Sequence, residues 1–127
     1  MQIKLTSAAI KLQARTKFSK RDLFIAELLG VTPEFASDRT LERRLVILLN
    51  LNEAHKLEII RGQSLQSGET GRGGWLYDVN RQLNLRSALD AEIRALDAEL
   101  PEMTDGAILI TRAILKQIGA ENTKIAA

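Results

Sequence analysis

The chain has no cysteine, two prolines, one histidine, and only three Phe, one Tyr and one Trp among 127 residues. The lack of cysteine excludes a disulfide scaffold, thiolate zinc or iron–sulfur sites, and a cysteine nucleophile. One histidine excludes a multi-histidine metal site within a single chain. Aromatics at 4% are too few for platforms that stack single-stranded nucleic acid. Long hydrophobic runs are also missing. The longest is Leu45-Val46-Ile47-Leu48-Leu49, interrupted by Asn50, far below the ~20 residues that span a bilayer. No apolar stretch follows the N-terminus, so a secretory signal is not expected. Residues 1–21 resemble a transit peptide in composition only, and the expected location is cytoplasmic.

What is present is 45% apolar content in a length that suits one domain. The net charge of +2 conceals a segregated pattern. Residues 1–21 carry Lys4, Lys11, Arg15, Lys17, Lys20 and Arg21 and no acid. That segment is +6, which leaves −4 on the remainder. Residues 88–105 carry Asp90, Glu92, Asp97, Glu99, Glu102 and Asp105 against Arg94 alone, a balance of −5. Such asymmetry suggests a basic arm that seeks an anionic partner or the protein's own acidic face.

The pattern predicts an all-α fold: four main helices in a small bundle, with a long antiparallel hairpin over 39–61 and 75–100. Residues 1–18 read as a basic arm, 19–119 as one helical domain, and 120–127 as a tail. Residues 2–6 alternate as a short strand or frayed end, and 7–17 form a weak helical stretch. Ser19 and Asp22 stand in the positions of a capping box, and Gly30 stands where a left-handed C-terminal residue belongs. These bound a helix over 20–29. Thr32-Pro33-Glu34 starts a short turn at 33–37. Ser37 and Asp38 compete to cap a helix that begins at Arg39. Within it Leu41, Leu45, Leu48, Asn52, His55 and Ile59 recur at spacings of three and four, and Val46, Leu49, Leu57 and Ile60 widen the apolar surface. An apolar surface this wide predicts a central, buried helix. Gly62 is its expected end.

The next pattern runs from Trp75 to about Leu100, where Pro101 stops it. Leu76, Val79 and Leu83 form one stripe, and Leu85, Leu89, Ile93, Leu96 and Leu100 form another. The shift near Asn84 predicts a kink, a break, or contact with two different partners. Thr104 or Asp105 caps a last helix over 105–118, with Ala107, Ile110, Ile114 and Ile118 aligned and Gly119 closing it.

Three motifs are candidates for function. Between Gly62 and Gly74 lie five of the eight glycines, and Gly68, Gly71, Arg72, Gly73, Gly74 and Trp75 read as a flexible connector between two antiparallel helices or as a loop that a partner orders. Thirteen residues is long for a helix–helix connection, typically ~2–8. A phosphate-binding loop would need a Lys-Ser/Thr pair after its second glycine, which is absent here. His55 has no nucleophile at a spacing that makes a catalytic set, and reads as a polar residue fixing register or pairing across an oligomer seam. Asp90/Glu92 and Asp97/Glu99 are spaced by two, so each pair diverges on a helix. Asp90 and Arg94 are expected to form a surface pair.

The stretch Ile25-Ala26-Glu27-Leu28-Leu29-Gly30-Val31-Thr32 resembles the first helix and turn of helix-turn-helix DNA-binding regulators. Ala26 takes the small-residue position and Gly30 the turn position. The likeness spans 21–44 and departs from the pattern at Ala36 and Arg39, where the second helix carries apolar residues, with Phe35 one position early. It implies a second helix in the major groove. Lys17, Lys20, Arg21, Arg39, Arg43 and Arg44 would then meet phosphates or bases.

No catalytic constellation, metal set or cofactor motif emerges. The expected function is that of a non-enzymatic helical interaction or regulatory protein, with protein partners and self-association. The alternative is a DNA-binding regulator that uses 21–44 and the basic arm. No membrane partner is expected.

Overall fold

The computed structural model describes residues 17–66 and 79–126. Among them are five α-helices, one 3-10 turn and no strand, so the fold is all-α. Residues 2–16, Gly68, Gly71, Arg72, Gly73, Gly74 and Trp75 lie outside the described residues. The chain divides into two compact units, 1–44 and 45–127.

In the first unit, α1 is Lys20–Leu29. The Asp22 N–H donates to the Ser19 hydroxyl at 3.1 Å, and the Ser19 N–H donates to the Asp22 carboxylate at 3.3 Å. This reciprocal capping box satisfies two amides that the first turn leaves without helical partners. Gly30 closes α1 with φ +66°. It is the one described residue with positive φ, and only glycine takes that conformation without strain. Helix α2, Pro33–Ser37, starts where Thr32 accepts from the Phe35 N–H at 3.1 Å. Ile25, Ala26 and Leu28 of α1 and Ala36 of α2 are buried.

Helix α3, Leu41–Gln66, begins in the first unit and continues into the second. Its cap is neither Ser37 nor Asp38. The Thr40 hydroxyl accepts from the Arg43 N–H at 3.4 Å, while Asp38 accepts from the Thr40 N–H at 2.9 Å. That two-residue shift moves the start to Leu41. Gly62 does not end the helix. Glycine inside a helix costs about 1 kcal/mol but breaks no hydrogen bond, and α3 runs on to Gln66.

Helix α4, Val79–Glu99, is continuous through Asn84. Leu85, Ala88, Leu89 and Leu96 form its buried face, while Val79 and Leu83 are exposed. The helix does not break there, and the shifted stripe marks a second, outward face. Pro101 sits in a 3-10 turn, Leu100–Glu102. Helix α5 is Asp105–Ala126, with Thr104 accepting from the Ala107 N–H at 3.3 Å. It passes Gly119, so the stretch expected as a tail is helical to residue 126. Its buried line holds Thr111 and Ile118, whereas Ile110 is exposed. Thr111 is tolerated there because its hydroxyl donates to the Met103 sulfur at 3.7 Å.

In the second unit α3 and α4 run antiparallel. Arg81, near the start of α4, meets Glu58, near the end of α3, at 3.7 Å. Farther along, Arg86 and Asp90 act on His55. Ile47, Leu48 and Leu51 of α3, Leu85, Leu89 and Leu96 of α4, and Ile118 of α5 are fully buried.

Candidate functional site

Helix α3 presents two unlike faces, and both depart from a plain core helix. The inner face carries a polar row, Asn52, His55 and Glu58, at successive spacings of three. All three are buried, as is Glu92 of α4. Buried polar groups need partners, and the row is only partly served. The Asn52 amide donates to Glu121 of α5 at 2.9 Å. Lys56 bridges Glu53 and Glu121, each at 3.1 Å. Gln117 also donates to Glu121, at 3.3 Å. The Glu121 carboxyl is lowered by the Asn52 hydrogen bond first, then by those from Lys56 and Gln117. The Lys56 amine is raised by its bonds to Glu121 and Glu53. By contrast, Asn52 Oδ1, His55 Nδ1, Glu58 Oε1 and Asn122 Oδ1 are buried with no hydrogen-bond partner among the described residues.

His55 is 2% exposed. Burial pushes its pKa below 6.5, the Arg86 charge lowers it further, and Asp90 opposes. The folded chain thus holds His55 neutral where the unfolded chain would bind a proton. Stability is expected to be flat above pH 6.5 and to fall as pH drops from 6.5 towards the lowered folded value. Urea midpoints measured through that window should decline for the native chain. In His55→Gln that part of the slope should vanish. An unchanged slope would place the pH dependence elsewhere.

The outer face of α3 carries Val46, Leu49, Leu57 and Ile60, expected as additional buried surface. The structure corrects this: they are 43%, 41%, 58% and 56% exposed. At 100° per residue they fall within about 40° of one line, on which Glu53 also lies. Periodicity detected these residues but not their exposure, because a wide apolar pattern does not say whether the chain itself supplies a cover.

The basic residues proposed from sequence fall in the first unit, where Asp22 is the hub. The Arg21 guanidinium donates to Asp22 at 3.0 Å and to the Ala36 carbonyl. Arg39 donates to Asp22 at 3.1 Å. Arg43 lies 3.8 Å from the Phe35 ring centre, donates to the Phe35 carbonyl at 3.2 Å, and is 3.9 Å from Asp38. Lys17 sits over Phe18 at 5.3 Å. Lys20 is exposed, and Arg44 is half-buried. Thus Arg21 and Arg39 converge on one carboxylate, whereas Arg43 serves α2. Burial would raise the Asp22 carboxyl, but hydrogen bonds from Arg21 and Ser19 and the charge of Arg39 hold it below 3.8. The second helix of the helix-turn-helix resemblance is α2, only five residues long, and it stops at Ser37 before reaching Arg39.

In the acidic stretch, Asp90 pairs with Arg86 at 3.1 Å, four residues before it, in place of the expected Arg94. No group of three or more His, Cys, Asp or Glu among the described residues is placed to hold a metal ion. No helix among them is long and apolar enough to cross a membrane. No known family model, curated protein or solved structure matches the chain.

Proposed function

We propose that this chain is a non-enzymatic helical interaction protein with a regulatory role, which self-associates and works by contact through the outer face of α3. The observation that carries this reading is the row Val46, Leu49, Leu57 and Ile60, each about half exposed on one helical line. Exposed apolar side chains gathered on one helical line mark an interaction site more often than scattered ones do. Two further observations support it. The lone imidazole, His55, is enclosed by the fold. Arg21, Arg39 and Arg43 hold their own chain through Asp22, Ala36, Phe35 and Asp38, which reduces what they offer to phosphates.

Light scattering of the full chain across a concentration series tests the reading. The expected mass exceeds the 14.1 kDa of one chain and falls on dilution. A single-chain mass up to the highest soluble concentration would contradict self-association.

A further inference from the structure

We infer that the occupant of this α3 face is a second copy of the same chain, laid antiparallel about a two-fold axis that passes beside Glu53. The inference rests on the interaction reading above and adds the partner and its orientation.

The residues on the outer line are Val46, Leu49, Glu53, Leu57 and Ile60, with spacings of three, four, four and three. The set reads the same in both directions from Glu53. Leu49 and Leu57 stand four residues to either side, and Val46 and Ile60 stand seven. A two-fold dimer requires a self-complementary surface, in which residue i meets j and j meets i. Reversal about Glu53 supplies it: Val46 faces the partner's Ile60, and Leu49 faces the partner's Leu57. A different protein as partner would impose no such symmetry on the strip.

Parallel pairing uses the same residues poorly. A seven-residue repeat from Leu49 falls on Lys56, whose amine is held by Glu53 and Glu121. Leu57 would then lie off the seam. The antiparallel arrangement places all four apolar side chains against apolar side chains.

The charges at the centre agree with this orientation. Glu53 is 61% exposed on the line itself. Two Glu53 carboxylates approach at the axis, and Lys56 lies about 4.5 Å farther along each helix. Each Glu53 keeps its own Lys56, and the two lysines stand on opposite sides of the acid pair. Sliding the helices by one turn would set Glu53 against leucine and leave a carboxylate in apolar surroundings. A charged centre in an otherwise apolar seam fixes register in this way.

The absence of cysteine makes the test clean, because every introduced thiol is the only one in its chain. Glu53→Cys places two thiols across the axis, and mild oxidation should give a covalent dimer. Val46→Cys alone should not link, since its two copies lie about 21 Å apart along the helices. Mixed Val46→Cys and Ile60→Cys chains should link to each other. Self-linking of Val46→Cys would show parallel pairing and overturn the inference. If Leu57→Glu weakens assembly but Glu53→Cys does not link, the interaction reading stands and this orientation fails. If the native chain shows no assembly at all, both fail together. Circular dichroism of each exposed-site variant confirms that the helices persist.

Discussion

Asp22→Ala is expected to destabilise the chain by about 2–4 kcal/mol. The Asp22 carboxylate is buried, and it accepts from the Ser19 N–H, Arg21 and Arg39. Its removal loses half of the capping box, worth about 1 kcal/mol. It also removes one carboxylate partner of Arg21, which keeps its bond to the Ala36 carbonyl. Arg39 is more exposed and recovers water, so its share is small. Asp22→Asn retains an oxygen for Ser19 but loses the charge, so it should fall between the native chain and Asp22→Ala. Denaturant unfolding measures the loss, and hydrogen exchange should place it in α1 and α2. The Asp22 pKa is lowered on folding. Its contribution is therefore present above pH 3.8 and is lost as pH falls through the folded value. Equal stability of native and Asp22→Ala chains would show that this cluster is ornamental.

The second large effect is on association. Leu57→Glu combined with Ile60→Glu should weaken self-association at least about 100-fold, because carboxylates without partners replace apolar side chains in a seam that excludes water. Thermal stability of the single chain should change by no more than about 0.5 kcal/mol for each exposed site. Glutamate is a good helix former, and neither residue contributes to the buried interior. Leu109→Glu provides the control. Leu109 is also an exposed apolar residue, but it sits on α5, and its replacement should leave the mass unchanged. Loss of assembly in Leu109→Glu with none in the α3 double variant would assign the contact to α5 instead.

These expectations differ in how far the sequence foretells them. Local signals were legible for the first two helices, whereas the α3 cap expected at Ser37 or Asp38 is Thr40. The Ser19/Asp22 box, Gly30 and Thr32-Pro33 bound α1 and α2 at the residues expected, because capping chemistry depends on neighbours within one turn. The inner line Leu45, Leu48, Asn52 and His55 was legible too, since its period of three and four is set by helix geometry. Glycine proved the weakest punctuation. Gly62 and Gly119 looked like stops but lie inside α3 and α5, where tertiary packing outweighs a propensity cost of about 1 kcal/mol each. Long-range pairs were invisible. Arg39 reaches Asp22 across seventeen residues, and Asn52 and Lys56 reach Glu121 across the bundle. No spacing rule connects such residues. The exposure of Val46, Leu49, Leu57 and Ile60 was also hidden, because hydrophobic pattern reports the wish to be covered and not the cover. The same holds for Val79 and Leu83 on α4, whose outward stripe looked like a kink.

The most direct test of a covered α3 face uses one thiol in this cysteine-free chain. Leu57→Cys should react with an alkylating reagent ever more slowly as protein concentration rises, because assembly buries that position. Ala113→Cys, exposed on α5, should react at one rate throughout. A Leu57→Cys rate that stays as constant as that of Ala113→Cys would contradict the assignment of this face to self-association.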